Sequence, residues 1–594
     1  MASKKLINSV NNVVDESLSG LCTAYPQLDY HPNKRVVLSS NWNDDKLNDK
    51  KIGIICGGGS GHEPFSAGFV GAGMLSASIS GDVFAAPPPN NILHAIKCVT
   101  GNAGTIVVIP NYTGDCLNFG IAIEKAKQNG LKILDIVVDD DCSIPDDNLG
   151  RAGKRGLVGI LFVIKIIGGL SKQEMTLETI YNHAKIISNN IATYGVGLSS
   201  CSLPGQGKMF QLPDDEIEIG LGVHGEAGYD RIKMKNINEI VEIMLTSINN
   251  KLSLKSNDSV AVIINNFGAT SQLEQGIVVN EVVIQLKKMS VNPVRIYSGV
   301  LMTSLDSAGI HISIFKIPID NKNLYISCLD DTTDAPSWPG CVYSFPRNKK
   351  INYQEDKHQV IKKTGRKLDD NKMEILEECL RSACENIIEN EIKLNSLDRG
   401  CGDGDCGYTH KKLANGILRS FKTLEIAYPA SLLTQLSWIA EECMGGTSGA
   451  VYSLFFTTAA CSLSKSNEKN DKWDKLLSDA WKFGIDGIMK YSKARPGDRT
   501  MLDSLSPAYK IYNENILNNI NFKVAIKNSA DAARIGCEAT KKMIPRFVLI
   551  FCYLINNYIY NFNYFCAELV EQHMLNSLNI LTTLMLVHLV LLYG

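Results

Sequence analysis

The chain has 594 residues, is 45% hydrophobic and 21% charged, and carries a formal net charge of −2. This length predicts about three to four domains, or two large ones, and the near-neutral charge gives no reason to expect nucleic acid or an anionic membrane as a partner. Its 17 cysteines are dispersed without a C-x-x-C motif, and the N-terminus lacks a long apolar segment, which together favour a cytoplasmic protein with reduced thiols.

Short β-rich runs alternate with helix-like segments through the first half of the chain. The runs include KIGIIC, GTIVVIP and LKILDIVVDDD, at residues 51–56, 104–110 and 131–141. This alternation is typical of an α/β domain with a largely parallel sheet. A further apolar stretch, at residues 156–170, is too short for a membrane span.

Glycine-rich and polar segments follow two of these runs directly. GGGSGHEP, at residues 57–64, is built to bring backbone N–H groups close to an anion or a small polar substrate, although it lacks the Gly-Lys-Ser/Thr of a Walker A loop. NYTGD, at residues 111–115, follows another run. Because ligands collect at the carboxyl ends of parallel strands, His62 and Asp115 are expected to converge on one pocket. The alternative is a tight turn in which His62 only starts a helix.

A third polar segment, GLGVHGEAG at residues 220–228, places His224 in a glycine-flanked turn after another β-run. An exposed histidine in such a turn is a candidate nucleophile or base. A structural histidine with satisfied hydrogen bonds is an equally good interpretation of this segment alone.

The second half of the chain has a different character. Residues 345–370 are polar, charged and without periodicity, which predicts a linker. Apolar residues then recur with a helical period, and no β-run of the earlier kind follows before residue 545. Helices are predicted around residues 411–425, 430–444, 448–463, 471–491, 500–513 and 522–543, so this half is expected to be an all-α domain.

Polar, glycine-bearing loops lie between these predicted helices. The first, LNSLDRGCGDGDCGYTH at residues 394–410, contains Asp398, Asp403 and Asp405. Clustered carboxylates favour a hard cation such as Mg²⁺, which is usually shared with nucleotide phosphates. The alternatives are a polar turn or a calcium loop, although the spacing does not fit an EF-hand.

Two further loops have the same character. Thr447, Ser448 and Gly449 of MGGTSGA open a predicted helix, where free N–H groups can bind phosphate or ribose. Arg499 and Thr500 of ARPGDRT precede another. Each could be an ordinary helix cap, but three such loops on one domain favour a nucleotide site.

The motifs together resemble the ATP-dependent dihydroxyacetone (glycerone) kinase family, which includes animal triokinase/FMN cyclases. The resemblance runs from about residue 5 to about residue 543 and depends on GGGSGHEP, GDVFAAPP, NYTGD, GLGVHGEAG, TDAPSWP, LDRGCGDGDCG, GGTSGA and PGDRTMLDSL, in family order. It implies an α/β substrate domain (residues 1–344), a linker (345–370) and an all-α helical-barrel nucleotide domain (371–545).

The resemblance also implies roles for the candidate residues of the first domain. In the family, the carbonyl of dihydroxyacetone or glyceraldehyde forms a hemiaminal with a histidine that corresponds to His224. His62 and Asp115 match the family's acid/base pair and also contact the substrate, and Gly59, Ser60 and Gly61 match its substrate loop.

In the second domain, the resemblance implies that Asp398, Asp403 and Asp405 hold Mg²⁺. The matching nucleotide-binding positions are Asp403, Gly404, Asp405, Cys406, Thr447, Ser448, Gly449, Arg499 and Thr500. The γ-phosphate of ATP must reach the substrate of the first domain. Family members often achieve this by head-to-tail dimerisation, so a homodimer is expected.

The chain departs from the family pattern at two places. Pro110 stands where many relatives carry a lysine just before NYTGD. Residues 546–594 form an atypical apolar tail without the family's Asp-Pro-Gly nucleotide loop. Residues 575–594 could be scored as a membrane span, but Asn576, Asn579 and His588 weaken that interpretation, so no membrane association is expected.

Three functions remain open at this point. The leading hypothesis is phosphorylation of dihydroxyacetone, and also of D-glyceraldehyde, by ATP. The second is an FAD–AMP lyase that forms cyclic FMN with a divalent metal such as Mn²⁺ or Co²⁺, which would need the aspartate cluster but not His224. The third is a kinase-like binding protein that the unusual tail has made catalytically silent.

Overall fold

The computed structural model describes residues 3–42, 50–145, 151, 153–226, 228–340, 362–399, 404–465 and 472–543. The chain divides into two compact units, Met1–Asn352 and Tyr353–Gly594. This division falls within the predicted linker at residues 345–370, which lies outside the described residues up to residue 361. The apolar tail at residues 546–594 also lies outside them.

The first sheet of the N-terminal unit contains the β-rich runs that the sequence suggested. Its six strands lie in the order β1-β2-β4-β3-β5-β6, and β4, β3, β5 and β6 pair in parallel. Strands β1 and β2 add to one edge in antiparallel pairing. The strands are Leu28–His31 (β1), Val36–Ser39 (β2), Gly53–Ser60 (β3), Ala77–Val83 (β4), Thr105–Pro110 (β5) and Ile133–Val138 (β6).

The second sheet corrects the expectation of one largely parallel sheet. Its order is β11-β10-β12-β7-β8-β9, and among its described strands only β10 and β11 pair in parallel. A helix connects β10 to β11, whereas the short connection between β8 and β9 allows only a hairpin. The strands are Ile191–Gly197 (β7), Glu216–Ile219 (β8), Asp230–Lys233 (β9), Ser259–Asn266 (β10), Asn292–Gly299 (β11) and Gly309–Lys316 (β12).

Eight helices accompany these sheets in the described part of the N-terminal unit. They are Val13–Ala24 (α1), Pro89–Val99 (α2), Thr113–Gln128 (α3), Ile160–Lys172 (α4), Leu177–Ser188 (α5), Ile237–Leu252 (α6), Gln272–Lys288 (α7) and Lys322–Asp330 (α8). Helices α2 and α3 pack on one face of the first sheet, and α6 and α7 on one face of the second.

Helix α4 lies between the two sheets and contains most of the apolar stretch at residues 156–170. It shares one hydrophobic core with Ile54 and Val108 of the first sheet and with Ile263 and Phe315 of the second. A helix covered on both sides must be apolar all round, which explains the composition. No helix in the described ranges is long and apolar enough to cross a membrane.

The described part of the C-terminal unit is entirely helical, as predicted. Its helices are Asp370–Glu389 (α9), Glu391–Asp398 (α10), Cys406–Ser420 (α11), Pro429–Cys443 (α12), Gly446–Ser464 (α13), Trp473–Tyr491 (α14), Leu502–Leu517 (α15) and Phe522–Ala539 (α16). From α11 to α16, each helix packs against the next around one core. Because short loops join neighbouring antiparallel helices, the N-termini of α11, α13 and α15 share one end of this unit.

Candidate active site

Glycines at the end of β3 allow the first candidate loop to approach its neighbours closely. A Cβ atom on Gly57 would lie 2.3 Å from the carbonyl oxygen of Ile79, and one on Gly59 would lie 2.8 Å from the backbone nitrogen of Ala85. Any side chain at these positions would push β3 away from β4 and from the loop after it. The glycines are therefore needed to hold this loop, and His62 beyond it, in place.

Four aromatic rings from four loops meet beside this glycine segment. His62 and His224 lie with their ring centroids 4.8 Å apart, and the Tyr112 and Phe84 rings lie 4.5 Å and 5.4 Å from that of His224. His224 comes from the loop between β8 and β9, whereas the other three follow strands of the first sheet. The structure thus brings the two predicted histidines together. Sequence reasoning missed Phe84 and Tyr112, although both stand inside quoted motifs.

Both histidines of this cluster are electrically neutral at pH 7. Burial, and then the neighbouring His224, lowers the pKa of His62 to about 3. Burial, and then the charge of Arg155, lowers the pKa of His224 to about 4. Nδ1 of His62 lies 3.0 Å from the carbonyl oxygen of Thr303, and because a carbonyl only accepts, Nδ1 carries the proton. Its Nε2 is then left with a lone pair.

Asp115 lies in the first turn of α3 as a buried carboxylate. Its Oδ1 atom has no hydrogen-bond partner among the described residues, and burial raises its pKa to about 7. A Cβ on Gly58 would lie 3.8 Å from this oxygen and 4.0 Å from the ring of Pro110. A buried oxygen without a partner is unfavourable. Because residue 58 is a glycine, no side chain from that position fills the space beside this oxygen.

Pro110, where the family resemblance predicts a lysine in many relatives, lies near the buried Asp115. It is the last residue of β5, and its ring lies beside the space between Gly58 and Asp115. Burial is the cause of the shift at Asp115, and no cation among the described residues opposes it. A lysine at this position would supply such a cation.

An ion-pair network holds the loop that carries His224. Oε2 of Glu226 accepts a 2.9 Å hydrogen bond from the backbone N–H of His224. Arg155 pairs with Oε1 of Glu226 at 3.5 Å and with Asp141 at 2.7 Å, and it donates to the carbonyl oxygen of Gly220 at 2.7 Å. Sequence reasoning missed this network, because Arg155 lies some 70 residues before the loop that it supports.

The predicted substrate loop makes internal hydrogen bonds. The hydroxyl of Ser60 donates to the carbonyl oxygen of Gly81 at 2.9 Å, and the N–H of Gly61 donates to Oε2 of Glu63 at 2.9 Å. Gly61 adopts a φ of +98°, in the left-handed region that favours glycine. These contacts fix the backbone around His62 before any ligand arrives.

The aspartate loop of the C-terminal unit is organised by Asp398. One oxygen of this buried carboxylate accepts hydrogen bonds from the backbone N–H groups of Gly404 at 2.9 Å, Asp405 at 3.1 Å and Cys406 at 3.3 Å. It therefore caps the N-terminus of α11. Asp405 is the residue that precedes this helix, and Asp403 lies outside the described residues. Carboxylates at this position are suitable oxygen ligands for Mg²⁺.

The MGGTSGA loop opens α13, as predicted. Gly445 and Gly446 have φ values of 66° and 57°, and a Cβ on either would meet nothing within 4 Å. Thr447, Ser448 and Gly449 form the first turn. Open space in front of a helix N-terminus is suited to phosphate.

The ARPGDRT loop precedes α15, also as predicted, and is held by a residue that the sequence did not single out. Both oxygens of the buried Asp503 accept backbone hydrogen bonds, from Gly497 and, at 2.7 Å, from Thr500. Arg499 has a φ of 62° and donates to the carbonyl oxygen of Met543 at 3.3 Å. His410 of α11 and Tyr452 of α13 are linked at 3.2 Å, which ties two of the three helix N-termini together.

Comparisons with known proteins find one known domain in each half of the chain. The Dak1 domain matches residues 19–337 and the DAK2 domain matches residues 400–548. A triokinase/FMN cyclase from Mus musculus is 37% identical over 554 residues, covering 91% of this chain and 93% of that protein. The chain belongs to the dihydroxyacetone kinase family. A dihydroxyacetone kinase from Pichia angusta is 32% identical, covering 92% of each chain.

A solved structure extends the match to the fold. The dihydroxyacetone kinase of C. freundii, in complex with AMP-PNP and Mg²⁺, superposes with a TM-score of 0.66 at 28% identity. The match covers 96% of this chain and 100% of that one. The predicted order of an α/β domain followed by an all-helical domain is thereby confirmed, while closure of the helices into a barrel stays a prediction.

Proposed function

We propose that this family member transfers the γ-phosphoryl group of ATP to dihydroxyacetone, giving dihydroxyacetone phosphate, and that it also accepts D-glyceraldehyde. The names of the relatives support this reaction. The single observation that carries it here is the pair of neutral histidines, His62 buried and His224 half-buried, beside Tyr112 and Phe84. Neutral imidazole offers the lone pair that a carbonyl group requires of a nucleophile.

The first step is capture of the substrate carbonyl. The imidazole nitrogen of His224 that carries the lone pair attacks the carbonyl carbon, so a C–N bond forms as the C=O π bond opens. The other ring nitrogen loses its proton and the former carbonyl oxygen gains one, which gives a neutral hemiaminal. Glycerol has no carbonyl, so it cannot be held this way, and the site selects short-chain ketones and aldehydes over polyols. The Glu226–Arg155 network positions His224 for this attack.

The second step is phosphoryl transfer. A hydroxyl of the anchored substrate attacks the γ-phosphorus, and Asp115 or His62 accepts its proton as ADP leaves. Asp115 suits this role, because its pKa of about 7 leaves it ready to exchange a proton near neutral pH. Gly59, Ser60 and Gly61 hold the substrate beside these groups.

The helical unit supplies the nucleotide site in this proposal. Asp398, Asp403 and Asp405 would hold Mg²⁺, which neutralises charge on the triphosphate when bound. The nucleotide itself would be bound by the N-termini of three helices, at Gly404 to Cys406, Thr447 to Gly449, and Arg499 with Thr500. We further propose a cytoplasmic homodimer that acts in glycerol and carbohydrate metabolism.

The name of the Mus musculus relative favours a second candidate function, the formation of cyclic FMN from FAD. It would use the aspartate cluster with Mn²⁺ or Co²⁺ and would not need His224. A His224→Ala variant should therefore lose phosphorylation of dihydroxyacetone and keep formation of cyclic FMN.

The test is ADP release by the full-length chain with ATP, Mg²⁺ and either dihydroxyacetone or glycerol. We expect release with dihydroxyacetone only, its loss in His224→Ala, and its retention in the matched control His183→Ala. His183 is a suitable control, because it bonds to Tyr325 at 2.8 Å, away from the ring cluster. Equal release with glycerol, or an active His224→Ala, would refute the hemiaminal. Nucleotide binding without release would favour the silent binding protein.

A further inference from the structure

Two histidines and a cysteine that play no part in the proposed kinase reaction lie together at the edge of the first sheet. His31 is the last residue of β1, and His94 and Cys98 lie four residues apart on α2. Positions i and i+4 share one face of a helix, so both α2 side chains can be directed toward His31. All three are half-buried.

The donor atoms of these side chains are very close. Nδ1 of His31 lies 2.9 Å from Nε2 of His94, and Sγ of Cys98 lies 3.6 Å from that same nitrogen. All three donor atoms lie within 4.8 Å of one another. Two imidazole nitrogens at hydrogen-bond distance share either a proton or a metal ion.

Two of the three distances between these donor atoms approach the edges of a zinc coordination tetrahedron. With Zn–N bonds of about 2.05 Å and Zn–S bonds of about 2.3 Å, tetrahedral angles place two nitrogens about 3.3 Å apart and a nitrogen and a sulfur about 3.6 Å apart. The corresponding distances in the structure are 2.9 Å and 3.6 Å, and Nδ1 of His31 lies within 4.8 Å of Sγ of Cys98. The ion would be admitted if the two imidazole nitrogens moved apart by a few tenths of an ångström and the Cys98 sulfur lay at about the nitrogen–sulfur edge length from Nδ1 of His31.

The chemistry of the donors selects the type of metal. Imidazole and thiolate are the ligands of Zn²⁺, whereas Mg²⁺ prefers oxygen. We propose that His31, His94 and Cys98 form a zinc site that ties the edge strand β1 to helix α2. Three protein ligands leave a fourth position for water, and the partial exposure of the cluster provides access for it.

Charges around the cluster both oppose and favour the binding of a divalent cation. Lys34 and Lys97 lie close enough to His94 to act on it electrostatically. The same two lysines repel a divalent cation. The thiolate formed by Cys98 on binding removes one positive charge from the complex, so the site needs its cysteine.

The test uses Co²⁺ as a spectroscopic probe of the full-length chain, with excess Mg²⁺ to occupy carboxylate sites. Cobalt bound to a thiolate shows a charge-transfer band in the near ultraviolet. We expect this band to saturate at one equivalent, to disappear on addition of Zn²⁺, and to be absent in Cys98→Ser. Cys461→Ser, at an exposed cysteine on α13, is the matched control and should retain it.

A second measurement keeps the proposal testable if one variant folds poorly. Zn²⁺ should raise the melting temperature of the parent chain, since a ligand that binds only the folded state stabilises it, and this rise should be lost in His31→Asn. Affinity should fall about tenfold or more in His94→Asn. A cobalt band that persists in Cys98→Ser, or none in the parent, would overturn the site and leave a histidine–histidine hydrogen bond. Zinc-free ADP release should be unchanged in these variants, so failure here differs from failure of the proposed kinase reaction.

Discussion

The buried carboxylate of Asp115 is predicted to oppose stability and to be needed for activity. Its pKa in the folded chain is about 7, against an ordinary value of 3.8, because of burial. This pKa difference of about 3, at about 1.36 kcal/mol for each pKa unit, changes the free energy of unfolding by at most about 4 kcal/mol.

The direction of this pH effect on stability depends on which state, folded or unfolded, binds the proton more tightly. Between pH 3.8 and about 7 the folded chain holds a proton on Asp115 that the unfolded chain has released. The stability that this proton contributes is complete at low pH and is lost as the pH rises through 7. Above pH 7 the folded state therefore carries a buried charge, and Asp115→Asn removes it.

We expect Asp115→Asn to melt several degrees above the parent at pH 8 and at about the same temperature at pH 4. Its ADP release with dihydroxyacetone should fall by about 100-fold or more, the usual contribution of a general base. In the parent, kcat/KM should rise through pH 7 as the carboxylate forms. Asp214→Asn, at an exposed position, is the control and should change neither property.

Two outcomes would refute this reasoning. If Asp115→Asn is no more stable than the parent at pH 8, the buried charge of Asp115 does not destabilise the folded state. If its kcat/KM stays within about tenfold of the parent and the pH profile is flat from pH 6 to 8, Asp115 is not the base, since a base contributes more than this.

Three other substitutions test neighbouring parts of the site. Pro110→Lys should place a cation near Asp115 and lower the pKa of its carboxyl by about 1 to 3 units, so the rise of kcat/KM should move to lower pH. An unmoved pH profile would mean that the side chain at residue 110 does not act on Asp115. Gly57→Ala should destabilise the chain by about 1 to 3 kcal/mol through its clash with β4, measured by denaturant unfolding, whereas Gly120→Ala in open space on α3 should be neutral or stabilising. Asp503→Ala should raise the KM for ATP more than that for dihydroxyacetone, because it releases two backbone groups of the nucleotide loop; equal changes would argue against that loop.

The amino-acid sequence by itself determined the two kinds of domain and the residues most worth testing. Strand and helix periods are local properties of the chain, so the α/β unit and the helical unit could be read directly from it. Glycine-rich motifs marked His62, Asp115 and His224 for the same reason, because a tight loop with a polar side chain is visible within a few residues.

Only the tertiary structure decided the features that join distant segments. The largely antiparallel second sheet depends on how β10, β12 and β7 pair across more than 40 residues of chain. Arg155 reaches Glu226, and His31 reaches His94, over separations that carry no periodic signal. The high pKa of Asp115 likewise arises from burial. Burial and through-space charge depend on what the fold places nearby, and no local pattern in the sequence specifies that.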